Sequence, residues 1–237
     1  MIPESRKSIV IAGLLLLAAT IVLMLFFDLK WPKDYGRRNI RPTLALELPH
    51  DGEEFQAIVR LPGNDVRMAQ RADFGFIAVY VIFFGIFALG VEDDRTMTSM
   101  ILATLVTAVA DIGENAFILH AVATAPTPSV LRTILIFGCA KWIAFFAIVF
   151  AAAVAMNNGE SDEREEHDPK FWPRIAALLL RLFALVGIYG AIASFASAAG
   201  RPLVAISTLG TVLTFFVIVA AYFVSLMQPR VPAAASA

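Results

Sequence analysis

Thr96–Val122 reads TMTSMILATLVTAVADIGENAFILHAV, and the fold turns on it. Ala110-Asp111-Ile112-Gly113-Glu114-Asn115 lies near its middle, with uncharged residues for a turn or more on either side. A hydrocarbon core of about 30 Å takes about 20 mainly apolar residues per helix. Ending a helix at Asp111 would leave two half-spans whose backbone groups have no partners in lipid, so one continuous crossing is the economical solution. The fold class predicted from this stretch is all-α, a polytopic transmembrane bundle.

The rest of the chain agrees. Of its 237 residues, 59% are hydrophobic and 16% charged, and the mean hydropathy is +0.74. Soluble domains carry about 45–50% apolar and about 25% charged residues. That excess argues against a soluble enzyme, a nucleic-acid binder, a secreted disulfide scaffold or a disordered regulator. A net charge of −1 gives no bulk field to draw nucleic acid. Cys139 is the single cysteine, so no intrachain disulfide forms.

The same length rule predicts six helices in one integral membrane domain spanning 1–237, at about 8–27, 72–91, 96–122, 130–156, 174–199 and 203–227. The first follows Arg6 and Lys7 as a signal peptide would. Its apolar run exceeds a usual h-region, and Phe26, Phe27 and Asp28 stand where small cleavage-site residues belong, so it reads as retained. Pro126 and Pro128 separate the third and fourth helices, and Phe171-Trp172-Pro173 marks an interface where the fifth begins. A charged loop fills 157–172, Gly200-Arg201-Pro202 is a minimal hairpin, and the tail from Pro229 frays. No internal repeat supports an inverted-repeat transporter.

The extramembrane piece is 28–71. Asp51 and Glu54 have capping-box spacing, and Phe55, Ile58 and Val59 share one helical face, which predicts a short amphipathic helix lying on the membrane surface. Asn64 is placed to cap a second helix leading into the second span. Glu47, within Leu44-Ala45-Leu46-Glu47-Leu48, reads as a solvated loop residue. Ten Lys/Arg fall on the face of this loop against seven on the other, which leans toward a cytoplasmic first loop.

At 100° per residue, Asp111, Glu114 and Asn115 share one stripe with Thr107 and Thr104. His120 faces elsewhere. A carboxylate at mid-bilayer costs about 2.5–3.5 kcal/mol on insertion scales, and a second one a turn away adds repulsion. Lys141 is the expected counter-charge. The third and fourth helices are joined by a short turn, and counting from it places Lys141 within about 3 Å of the depth of Asp111. A Lys141 contact with Asp111 or Glu114 is therefore predicted. Asp73 and Tyr80 lie two turns apart on one face of the second span. They are positioned to cap the seam, although an aspartate at a span boundary more simply points at water. Arg181 is expected to snorkel.

The cluster admits a structural reading, in which the acid–base pair holds helices in register, and a functional one, a proton relay or substrate site. A metal is not expected, because three oxygen ligands on one helix face leave a site open and Lys141 opposes a cation. No cofactor is expected: His50 and His167 are in loops, which excludes a bis-histidine haem, and no zinc, phosphate-loop or dinucleotide motif is present. No catalytic residues are assigned, and the balance leans away from an enzyme. Small residues at Gly187, Ala191, Ser194 and Ala198, and at Gly210, Thr211 and Thr214, predict close packing of the fifth and sixth helices on each other, on a membrane partner chain or on a second copy.

Three elements occur together: Leu44-Ala45-Leu46-Glu47-Leu48 with a following helix, Asp73-Phe74-Gly75-Phe76-Ile77 with Tyr80, and Ala110-Asp111-Ile112-Gly113-Glu114-Asn115. In these the chain resembles a loosely defined set of uncharacterised bacterial multi-pass membrane proteins sharing an Asp-x-x-Glu-Asn element. The resemblance covers the first half of the chain and implies that Asp73, Asp111, Glu114 and Asn115 recur as a constellation. It implies an inner-membrane location and no particular activity. Three functions follow as candidates: a small transporter or proton-coupled permease, an accessory subunit of a membrane complex, and an intramembrane enzyme.

Overall fold

The computed structural model describes residues 3–26, 29–32, 40–158 and 171–227. These form eight α-helices, with no strand among them: α1 (Pro3–Phe26), α2 (Pro42–Glu47), α3 (Gly52–Val59), α4 (Val66–Leu89), α5 (Asp94–Thr124), α6 (Pro128–Asn158), α7 (Phe171–Ala196) and α8 (Arg201–Met227). A 3-10 turn, Ala198–Gly200, joins the last two. Among the described residues five helices, α4 to α8, are long and apolar enough to cross a membrane; in α1 the described apolar stretch is Ile11–Leu23. Most of the charged connection, including His167, and the tail from Pro229 lie outside the described residues.

Polarity is inverted relative to a soluble bundle. On α5 the polar stripe faces in, with Glu114 fully buried, while Leu102, Leu105 and Val109 face out, Val109 at 66% exposure. The outer faces of α7 and α8 are likewise apolar, through Leu178, Leu185, Ile206 and Leu213. A lipid solvent rewards that arrangement, and water would penalise it.

Local signals set the boundaries. Asp93 caps α5 by accepting from the Thr96 amide, and α6 starts at Pro128, where a helix needs no amide donor. Asp65 caps α4 through the Met68 amide. The second span therefore begins at Val66, six residues before the predicted 72. Asn64, expected as the cap, instead ties the chain after α1: it exchanges two 2.9 Å hydrogen bonds with the Lys30 backbone and donates to the Ile58 carbonyl.

The largest departure from expectation is in 28–71. Before α4, its described residues hold two helices, α2 and α3, and neither lies free on a surface. Leu46, Leu48, Phe55 and Ile58 are at most 1% exposed. Asp51 caps α3 through the Glu53 amide, but Glu54 does not complete the capping box. Its carboxylate takes a 2.7 Å hydrogen bond from Arg201 Nη1, while Arg201 Nε donates to the Leu48 carbonyl at 2.8 Å. A buried guanidinium binds a carboxylate more strongly than a backbone amide does. The link pins the α2–α3 excursion to the start of α8. Arg201 is thus a 2%-exposed anchor, and not a free hairpin charge of the sort the orientation count assumed.

The small-residue face of α7 serves two neighbours. A Cβ on Gly187 would lie 2.4 Å from the Phe146 ring of α6, and one on Gly190 2.7 Å from Leu203 of α8. The predicted hairpin of the last two spans is present, and α6 shares the same face. Arg181 does not snorkel freely; it is half-buried and Nη2 donates to the Ala153 carbonyl of α6 at 3.3 Å.

Candidate functional site

Lys141, on α6, gathers three acids from two other segments. Its Nζ lies 3.2 Å from Asp111 Oδ1 and 3.0 Å from Glu114, both on α5, and 3.2 Å from Glu47 Oε2 at the end of α2. Oε1 of Glu114 accepts a hydrogen bond; Oε2, equally close, is poorly angled for one. Lys141, Asp111 and Glu114 are all buried.

The packing that permits this is visible in two glycines. A Cβ on Gly113 would meet the Phe137 ring at 2.7 Å, so the glycine inside the acidic element lets α6 lie close on α5. A Cβ on Gly138 would stand 2.2 Å from the Glu47 carbonyl oxygen. Gly138 therefore seats α2 on α6, one turn before the lysine that Glu47 reaches. Trp142 completes the seat, its Nε1 donating to Glu47 Oε2 at 3.1 Å.

The second span contributes as well. Tyr80 donates its hydroxyl to Asp111 Oδ2 at 3.1 Å, and Asn115 Nδ2 donates to Asp73 Oδ2 at 2.7 Å. Asp73 thus turns inward, against the expectation that a boundary aspartate faces water. Asn115 supplies a partner that water would otherwise have to supply. Thr107 and Thr104 bond carbonyls of their own helix, Ala103 and Met100, and make no direct link to the acids.

Sequence reasoning missed Glu47, Trp142 and Arg201. Glu47 carried a usable signal, since a lone acid inside Leu-Ala-Leu-Glu-Leu would have to find a cation once that segment is buried. Arg201, between a glycine and a proline, carried none.

Among the described residues, charge does not balance here. One ammonium faces three carboxylates, and Asp73 is a fourth acid nearby. With every acid ionised, the three around Lys141 leave a net −2. At low dielectric such an excess demands protons or a cationic guest.

The acids also border a space. A partly open cavity of about 250 Å³ lies between α1, α4, α5, α6 and α8. Asp111, Lys141, Glu47, Asp73, Tyr80 and Thr107 form its polar end. The remaining wall is mostly apolar and aromatic, with Leu16 and Leu17 of α1 and Phe83, Phe84 and Phe145, interrupted by Thr20, Thr208 and Thr211. Glu114 does not reach it. The cluster thus divides into one enclosed acid, Glu114, and three acids that face the cavity, with Lys141 bridging the two groups. No protein-family model, curated protein or solved structure matches the chain.

Proposed function

We propose that the chain is a small six-span transporter of a bacterial inner membrane, in which α1 is the sixth span and transport is coupled to proton exchange at Asp111, Asp73 and Glu47. The observation that carries this reading is the cavity bordered by those acids, with a charge excess that protons can balance. A relay needs acids that can be reached, and an intramembrane carboxylate facing a cavity marks such a pathway. The likeness of the Asp-x-x-Glu-Asn element to that of other bacterial multi-pass proteins supports the same placement.

Proteoliposome proton flux, driven by a membrane potential, tests it. Wild-type protein is expected to carry protons, Asp111→Asn to lose most of the flux, and Glu114→Gln to retain more because Glu114 lies off the cavity. Equal flux in vesicles with each protein and in empty vesicles overturns the reading.

A second reading has its own support. The Glu114–Lys141 pair is buried and holds α5 to α6, as an accessory subunit stabilised by an ion pair would require; α7 and α8 would then offer their outer faces to a partner chain or a second copy. An enzyme acting on whole lipids fits less well. A space of about 250 Å³ is at or below the small end of ligand sites, about 300–1,000 Å³.

A further inference from the structure

The same cavity carries a statement about cargo, which rests on the transport reading above. We propose that it binds a small lipophilic amine in its protonated form, an ammonium on a compact aromatic or aliphatic body. Four observations converge on that class.

Size comes first. An apolar cavity of about 150 Å³ holds benzene, so about 250 Å³ accepts a ring with a short chain and excludes a phospholipid. The wall is second: Phe76, Phe83, Phe84 and Phe145 border the space, and aromatic faces favour both an apolar body and an adjacent cation. Charge is third. Glu47, Asp73 and Asp111 border the cavity and, among the described residues that line it, Lys141 alone balances them, so an anionic guest would deepen the imbalance and a cationic one relieves it.

The fourth observation is independent of the acids. Thr211 of α8 borders the cavity, is 1% exposed, and its hydroxyl oxygen has no hydrogen-bond partner. Buried hydroxyls are ordinarily satisfied. Oγ1 is enclosed in this structure, and a turn of the Thr211 side chain brings it to the cavity, where an ammonium N–H supplies the partner the protein leaves out. A bare metal ion fits poorly, since among the described residues no three His, Cys, Asp or Glu side chains are spaced to hold one.

Amine and proton then compete for the same carboxylates. Binding of the amine displaces protons from the cavity acids, which gives exchange of one for the other without further parts.

Equilibrium binding of 2-phenylethylamine to the full-length protein in lipid nanodiscs tests the inference, with propylbenzene as its neutral isostere. The amine is expected to bind saturably at pH 7.5 and to weaken at pH 5, with propylbenzene a poor competitor. Asp73→Asn, which keeps shape and can still accept from Asn115, is expected to weaken binding about tenfold or more, the loss of one hydrogen bond to a charged group. Thr211→Val is the second variant, and is expected to weaken it in the same direction. Equal binding of amine and isostere, indifference to both substitutions, or no saturable binding overturns the inference. Proton flux without amine binding would leave the transport reading standing and this one refuted; amine binding without flux would do the reverse.

Discussion

Replacing Lys141 with Met removes the ammonium that Asp111, Glu114 and Glu47 share while keeping an unbranched chain of similar reach. Two routes give the size of the effect. Removing one partner of a buried ion pair costs about 3–5 kcal/mol. Alternatively, a stranded acid becomes neutral, and protonating an ordinary Glu at pH 7 costs about 3.7 kcal/mol, at 1.36 kcal/mol per pH unit above its reference value of about 4.3. The routes agree, and the second fixes a pH dependence. At pH 7 the folded variant holds a proton that its unfolded chain does not, so the deficit shrinks as pH falls, to about 1.6 kcal/mol at pH 5.5. Unfolding in mixed micelles, followed by tryptophan fluorescence at both pH values, measures it. Adding Glu114→Gln to Lys141→Met should recover most of the loss at pH 7, because Glu114 is the enclosed acid. A variant within about 1 kcal/mol of wild type, the size of an ordinary substitution, or a deficit equal at both pH values, would refute the reasoning.

Other perturbations test the supports of the site. Arg201→Met breaks the link to Glu54 and the Leu48 carbonyl and should cost about 3–5 kcal/mol in the same unfolding assay, with Arg201→Met/Glu54→Gln recovering much of it. Gly138→Ala places a methyl against the Glu47 carbonyl, a backbone atom that cannot swing aside. It should cost about 1–3 kcal/mol and lower proton flux by lifting Glu47 away from Lys141. Hydrogen bonds from the Thr96 hydroxyl and amide hold the exposed Asp93 carboxyl below its ordinary value. Its contribution is present above the ordinary carboxylate value of about 3.9 and is lost as pH falls through the lowered one. The gap between wild type and Asp93→Ala in unfolding midpoint should therefore close on acidification, and a constant gap would contradict the assignment.

Span length and polarity made the transmembrane helices legible in sequence, because lipid requires a minimum run of apolar residues and hides few alternatives. The Lys141 contact was legible for a related reason: a short connection between two long helices fixes relative depth, and depth alone left one cation for two acids. What depth cannot give is rotation, so that both Asp111 and Glu114 meet the same ammonium emerges only in three dimensions. The α2–α3 excursion was misread because its amphipathic pattern is common to a helix on a membrane surface and one packed on a protein surface. Burial distinguished them, through Glu47 and through the Glu54–Arg201 link, whose partners lie 147 residues apart. Pairings at such separation leave no local trace.

Infrared spectroscopy of the protein in lipid, before and after transfer to heavy water, tests the central claim most directly. If the acids facing the cavity are balanced by exchangeable protons, the spectrum contains protonated-carboxyl stretching bands that shift down on deuteration and diminish in Asp73→Asn and Glu47→Gln. Bands that are missing, or that neither exchange nor respond to those substitutions, would contradict it.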